Sequence, residues 1–512
     1  MRVPSELILC MVTGLLAGEL WRRRAPAGSA WTVAAARLLT PVLLGALAYA
    51  FHETLLLNTR WGWSACRLAP TIGLLHGYPL YSPADHGPIN GWLYGPVAAL
   101  AWIPAALGGS PQPALFIAAA IDLVLLLAPL AVAGAVFSAG PGKPRLLGFA
   151  YGAAGLLLIY PTWYMASVLN ADAIAVALGA GSCLVLAGPG EPRLRRLLPA
   201  ALLGALAAWT KQVEAPLVVA QLGWLWLSRG RSSVLHYAAA YAGTLAVVSG
   251  VFLACMGPRG IAFNMWVVPA GQAFQGGWPA AWAESAEFVR YAGIFYIPCL
   301  LILLPSAQAT PKGFGGGARD ALTLLLLAAL VLMPLCVMAV IKVGGDRNSL
   351  HPAYYLAVAA VIALSREASA SGLLVPVRRT LPLLAACTVV FLAVRQVAGY
   401  PALSMLPGRC LSQEAWTYSR LHPASVYYPW DPLATLMGEG RAYPFEYGVQ
   451  DRILARQEPA DAQIQGCFPT QPESIVYPRV DGNQLVQKRY FPDYALVSVT
   501  ADWLIYRRKD GR

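Results

Sequence analysis

Four polar clusters interrupt an otherwise apolar chain, and each carries side chains that can move a proton or hold an anion. The first opens with His52-Glu53 at the end of the apolar run 31–51. It continues through Asn58-Thr59-Arg60, Arg67, Gly77-Tyr78-Pro79-Leu80-Tyr81 and Asp85-His86, and closes with Tyr94-Gly95-Pro96. A carboxylate such as Glu53 can take the proton of an attacking hydroxyl. The second is Asp172, which follows Pro161-Thr162-Trp163-Tyr164 at the start of another apolar run; an acid there also suits a helix first turn and needs no further role. The third is Thr210-Lys211-Gln212-Val213-Glu214-Ala215-Pro216, where Pro216 withholds a backbone donor and the chain turns. The fourth is Lys342-Val343-Gly344-Gly345-Asp346-Arg347-Asn348-Ser349-Leu350-His351-Pro352. Two glycines permit a tight turn there, and Arg347, Asn348 and His351 gather at a helix start, where an anion such as phosphate is favoured.

The elements that must position these groups are membrane helices. Of 512 residues, 57% are hydrophobic and only 12% charged, against about 25% charged in soluble domains. Apolar runs 5–21, 31–51, 114–137, 146–161, 170–188, 197–210, 215–228, 235–256, 291–305, 321–341, 352–365 and 380–398 predict about twelve spans. The first run ends in Arg22-Arg23-Arg24 with no small-residue cleavage site and reads as a retained span. The clusters Arg22–Arg24, Lys143/Arg145, Arg193/Arg195/Arg196, Arg229/Arg231, Lys312/Arg319, Arg366 and Arg378/Arg379 should be cytoplasmic. They fit one alternating topology only if 92–107 does not cross, so that stretch reads as re-entrant or interfacial. Residues 55–75 have apolar residues at rough helical spacing, as in a helix lying in the interface, with Arg60 and Arg67 snorkelling to headgroups.

With that orientation all four clusters fall on the outer face. An ionisable group at a membrane edge is costly and seldom kept without a task. Asp122 alone lies mid-span and must pair or be protonated. The net charge of +12 does not point to nucleic acid. Residues 400–512 hold 12 Lys+Arg and 12 Asp+Glu, so the whole excess lies in the hydrophobic part, where loop charges set orientation. The chain thus divides into a membrane module, 1–399, with a first outer loop 52–91, and a polar extracytoplasmic tail, 400–512, of α+β character. The β-rich segments 494–500 and 503–507, joined by Thr500-Ala501-Asp502, predict a hairpin. Cys410 and Cys467 lie in the tail and could form a disulfide if it is extracytoplasmic.

The order of Glu53, Gly77-x-Pro79-Leu80-Tyr81, Tyr94-Gly95-Pro96, Asp172, Thr210-Lys211-Gln212 and Gly344-Gly345-x-x-Asn348 resembles the GT-C superfamily of polytopic glycosyltransferases. The likeness is to bacterial members of the dolichyl-phosphate-mannose-protein mannosyltransferase-like group, over most of 31–400. Tyr427-Tyr428-Pro429-Trp430-Asp431-Pro432, Gly440-Arg441 and Tyr443 resemble the outer end of such proteins.

The resemblance implies a mainly α, GT-C-like protein of the bacterial inner membrane. It implies transfer of a sugar, with inversion, from a polyprenyl-phosphate donor to a glycan, lipid or protein acceptor at the outer face. Membrane lipids would be its other partners, and the transfer is metal-free or uses a divalent cation (Mg or Mn). Glu53 would be the base and Asp172 would orient the acceptor or a metal. Lys211, Arg347, Asn348 and His351 would hold the donor phosphate, and Arg60, Tyr81, Tyr94 and Gln212 would contact substrate. Relatives often carry a pair of adjacent acids where this chain has His52-Glu53. The alternative is a transporter or flippase of lipid-linked sugars, which would show a continuous polar path to the cytoplasm and commonly repeated halves.

Overall fold

The computed structural model describes residues 51–52, 54–137, 166–188, 190, 192–286, 289, 317–345, 347–357, 359–360, 408–479 and 484–509. Glu53 and the runs 5–21, 146–161, 291–305 and 380–398 lie outside them, as does nearly all of 31–51 and much of 352–365.

Helices dominate the membrane part. They are α1 (Gly62–Leu75), α2 (Pro96–Ala101), α3 (Pro111–Phe137), α4 (Ala171–Leu186), α5 (Leu194–Thr210), α6 (Leu217–Arg229), α7 (Arg231–Met256) and α8 (Gly317–Val340). Among the described residues three stretches are long and apolar enough to cross a membrane: Pro111–Ala133, Arg231–Met256 and Arg319–Val340. Two apolar helices are shorter, Pro96–Gly108 and Ala171–Leu186. At 1.5 Å per residue the former extends about 20 Å, against a core of about 30 Å. It is wrapped in protein, with Trp92 and Trp102 buried. Packing runs α3 on α4, α4 on α5, α5 on α7 and α6 on α8. Alanines at the contacts (Ala118, Ala173, Ala180, Ala201, Ala205) let the backbones approach closely.

Asp122 on α3 has a partner after all: the Trp102 indole N–H donates to its Oδ1 at 2.7 Å. A second buried polar group lies on α4 to α7. Gln221 donates to the Ser182 hydroxyl at 2.7 Å and accepts from the Tyr237 hydroxyl at 2.6 Å.

Helix α1 falls within the stretch 55–75 that was expected to be helical. One face meets the bundle and the other meets the C-terminal segment, so its apolar stripe is covered by protein rather than lipid. Spacing reveals that a face is apolar, not what covers it.

The C-terminal segment contains helices α9 (Leu411–Leu421), α10 (Pro432–Glu439), α11 (Glu446–Leu454) and α12 (Leu485–Tyr490) with a four-stranded sheet. Strands β1 (Val426–Tyr427), β2 (Ser474–Pro478), β3 (Tyr494–Val499) and β4 (Trp503–Arg508) lie in the order β1-β2-β4-β3. β1 and β2 are parallel; β4 pairs antiparallel with β2 and β3. The expected hairpin is β3–β4, closed by Thr500 N–H donating to the Trp503 carbonyl at 2.8 Å.

An aromatic core of Tyr427, Trp430, Tyr443, Phe445, Tyr477, Tyr490, Phe491 and Tyr494 takes in Cys66 and Ile89 from the segment that precedes α2. Gly91 and Gly448 make the join possible: a Cβ on Gly448 would sit 2.7 Å from the Gly91 nitrogen. Arg452 fixes it, donating to the carbonyls of Ser82, Pro83 and Ala84 at 3.1, 2.8 and 3.2 Å.

The Cys410–Cys467 disulfide does not form; both thiols are free. Cys410 packs into the membrane-bundle core, while Cys467 donates to the Gln463 carbonyl at 3.2 Å. Shared polarity of a segment does not bring two cysteines within bonding reach.

Candidate active site

The site begins where α5 stops. Lys211 leaves the helix with φ −145° and ψ 132°, one 3-10 turn (Gln212–Glu214) follows, and α6 starts after Pro216. An extended residue between two helices turns its side chain sideways, here toward the first turn of α4. Asn170 enters α4 in the extended region, which leaves Asp172 at the dipole-positive end.

The Lys211 ammonium donates to Asp172 Oδ1, and the Asn348 amide donates to Oδ2 at 3.3 Å. The paired side chains are 6% and 0% exposed, so both charges are taken out of water together. Three elements distant in sequence thus converge: α4, the α5/α6 break, and the 3-10 turn Arg347–Leu350. Glu214 is buried beside this pair and neither of its oxygens has a hydrogen-bond partner among the described residues. A Cβ on Gly179 would sit 2.7 Å from Glu214 Oε2, so glycine is what leaves room for it. Burial, reinforced by Asp172 and opposed by Lys211, holds its pKa well above the ordinary glutamate range.

The Tyr94-Gly95-Pro96 loop is built against the same break. Gly95 donates its N–H to the Thr210 carbonyl at 3.1 Å, satisfying one of the orphan acceptors at the end of α5. A Cβ on Gly95 would lie 1.4 Å from the Trp209 carbonyl oxygen, so only glycine permits this approach. Pro96 then starts α2, where a missing N–H is harmless. Two further bonds fix the loop. Tyr81 donates its hydroxyl to the Tyr94 carbonyl at 2.9 Å, and Gln212 donates to the carbonyls of Leu93 and Met265 at 2.9 and 3.2 Å.

The Tyr94 ring is consequently held between two cations. Lys211 Nζ is 5.8 Å from its centroid and the Arg67 guanidinium 4.9 Å, with Arg67 also 5.5 Å from Trp63. Burial disfavours the charged form of Arg67, but Tyr94, Tyr447 and Asp451 more than offset that, and its pKa is raised. Asp451 reaches this side from α11. Its Oδ1 accepts from the Gln272 amide at 2.9 Å, and burial pushes its pKa up to about 7 against the pull of Arg67 and Gln272.

Of the residues singled out in the sequence, Asp172, Lys211, Asn348 and Tyr94 come together directly. Tyr81 is buried and Gln212 half-buried, and the bonds each makes hold Tyr94 and its loop. His351 is buried just beyond the Arg347–Leu350 turn, whose backbone places Arg347 on the same loop as Asn348. Arg60 is half-buried at the end of the helical stretch 54–60. Arg67, read as a snorkelling arginine, stands in the site, and Asp451 and Glu214 had been given no part. Glu214 lay inside a polar motif beside Lys211, whereas nothing local marked Asp451. Among the described residues no three His, Cys, Asp or Glu side chains gather to hold a metal.

No family model matches the chain, and no curated protein matches its sequence. Solved structures do. ArnT from Cupriavidus metallidurans bound to undecaprenyl phosphate superposes at a TM-score of 0.50 with 13% identity, over 94% of this chain and 98% of that one. The apo state of the same protein gives 0.51 and 12%, over 92% and 98%. The chain has the GT-C fold. Coverage this broad means that the helical bundle and the C-terminal segment both share in the GT-C likeness. A looser likeness, at TM-score 0.43 and 12% identity, is to archaeal oligosaccharyltransferase AglB from Archaeoglobus fulgidus in complex with an inhibitory peptide and a dolichol-phosphate, over 87% of this chain and 70% of that one.

Proposed function

We propose that the protein is a membrane glycosyltransferase that moves a hexose or pentose from a polyprenyl-phosphate donor to an acceptor at the outer face of the bacterial inner membrane, with inversion. The observation that carries this reading is the buried Asp172–Lys211–Asn348 set beside Tyr94, in a fold shared with a protein that binds undecaprenyl phosphate. About twelve spans and an extracytoplasmic C-terminal segment complete the arrangement.

In the reaction, the acceptor oxygen attacks the anomeric carbon while the bond to the phosphate oxygen breaks. The polyprenyl phosphate leaves with the electron pair, and a carboxylate takes the acceptor's proton. Glu53 has that role from its place in the sequence. Lys211 has three N–H donors, of which one meets Asp172, leaving two for the departing phosphate. Arg347 and His351 lie close along the chain to strengthen that hold. Asp172 holds the ammonium in place, and stabilisation of the leaving charge in a dry site is worth more than in water.

Transport is less well supported. On α6 the buried Gln221, bonded to Tyr237, is followed by the apolar Trp224 and Leu225, at 2% and 0% exposure. The experiment is to incubate the purified protein with a panel of polyprenyl-phosphate sugars and follow which is consumed. Glu53→Gln should fold normally and abolish consumption; near-normal turnover would remove Glu53 from the mechanism.

A further inference from the structure

We infer that Arg67 and Asp451 together hold the hydroxyl-bearing sugar ring of the donor, with Arg67 meeting the same Tyr94 ring that Lys211 meets. This rests on the transferase reading and deepens it: the C-terminal segment supplies part of the sugar subsite.

The surroundings of the two cations at Tyr94 differ in what they lack. On the Lys211 side both Asp172 oxygens receive donors, so its negative charge is answered and the remaining ammonium hydrogens are left for an anion. On the other side the deficit is mixed. Asp451 is 2% exposed, and its Oδ2 has no hydrogen-bond partner among the described residues. The Arg67 guanidinium, with five N–H donors, makes no hydrogen bond or ion pair with a described residue; its contacts are the faces of Tyr94 and Trp63. The two groups feel each other's charge but do not close into an ion pair.

A ligand that completes this set must both donate and accept. A phosphate cannot donate to Asp451 when fully ionised, and its charge would be repelled there. A sugar hydroxyl donates to the carboxyl and accepts from the guanidinium at once. The surroundings suit a sugar ring as well. Trp63 meets Tyr447 edge-on at 4.7 Å and Trp430 at 5.4 Å, so Arg67 and Asp451 stand beside an aromatic cluster, and small-molecule sites commonly combine aromatic groups with a few polar ones. Gly344, with φ +78°, brings the loop that carries Asn348 against this side, accepting from the Tyr447 hydroxyl at 3.2 Å. The loop therefore touches the phosphate side through Asn348 and the sugar side through Gly344.

The test compares two probes by tryptophan fluorescence of the purified full chain, since Trp63 and Trp430 belong to that cluster. One probe is undecaprenyl phosphate; the other is a set of undecaprenyl-phosphate hexoses and pentoses. In the wild type at least one sugar-bearing lipid should bind more tightly than the bare carrier. Asp451→Asn should remove about tenfold of that gain, the worth of one hydrogen bond to a charged group, and leave the bare carrier unchanged. Arg67→Gln, which alters no residue of the C-terminal segment, should do the same and covers the case in which Asp451→Asn misfolds. Retention of the sugar-dependent gain in both variants, or equal weakening of both probes, overturns the inference while leaving the transferase reading in place. Wild-type protein that binds neither probe overturns the transferase reading itself, before any variant is made.

Discussion

Two buried ion pairs, at the two ends of the α5–α6 hairpin's surroundings, look alike and are built for different purposes. Arg229, in the last turn of α6, donates to Asp320, in the first turn of α8, at 2.5 Å. Each charge sits at the helix end whose dipole favours it, and the pair ties two regular helices together. Lys211 and Asp172 are buried still more completely. Yet Lys211 stands on a broken helix, with the unpartnered Glu214 beside it and an aromatic ring between it and a second cation. Regular helix on both sides of the inner pair makes it structural. Irregular backbone around the Lys211–Asp172 pair is what a binding site costs.

Breaking the outer pair should have the largest effect. Lys211→Met should lower transfer at least about 100-fold, measured with the consumed donor, because it removes a donor to the departing phosphate. Asp320→Asn should leave turnover per folded molecule within about twofold, yet cost roughly 3–5 kcal/mol through the unanswered Arg229 charge, read as a lower melting temperature. Replacing both partners sharpens the contrast. Arg229→Met with Asp320→Leu should recover both stability and turnover, since an apolar pair of similar volume is often neutral. Lys211→Met with Asp172→Leu should recover stability alone. Turnover returning in the latter would make the outer pair structural too.

Gly95→Ala comes next. Its Cβ would collide with the Trp209 carbonyl, so the loop must lift and carry Tyr94 away from Lys211. Transfer should fall by about tenfold, with a modest drop in melting temperature.

The smallest effect is one of pH on the C-terminal segment. Burial raises Asp431 to about 6, Glu446 to about 7 and Asp451 to about 7, all above their unfolded values. The native state therefore binds more protons than the unfolded chain between about pH 4 and 7. That stabilisation is fully present below the unfolded values and is lost as pH rises through the folded ones. Melting followed by near-UV circular dichroism should occur several degrees lower at pH 8 than at pH 5, on the order of 5 °C. Asp451→Asn should reduce the difference, and a midpoint that rises with pH would contradict the burial argument.

The helical signals were legible because they are local. Apolar runs gave the positions of α3 to α8 to within a few residues, Pro216 marked the break after α5, and alternating β-branched residues marked the β3–β4 hairpin. The clusters at Asp172, Lys211 and Asn348 stood out because charge is conspicuous in apolar sequence. Arg67 was misjudged for the converse reason: an arginine on an amphipathic helix reads the same whether lipid or protein covers it. The stretch 92–107 was set apart from the spans only by the charge balance of loops far from it.

Composition and periodicity by themselves determined that this chain is mainly helical, membrane-embedded and polar at helix ends, since those properties depend on neighbours within a few turns. Which charge meets which was decided only by tertiary packing. Lys211 against Asp172, Tyr94 between two cations, and Asp451 brought to Arg67 from the far end of the chain all depend on backbones that approach at glycines such as Gly95, Gly91 and Gly448. A contact between distant segments is set by the shape of everything packed between them, and no local window of sequence contains that.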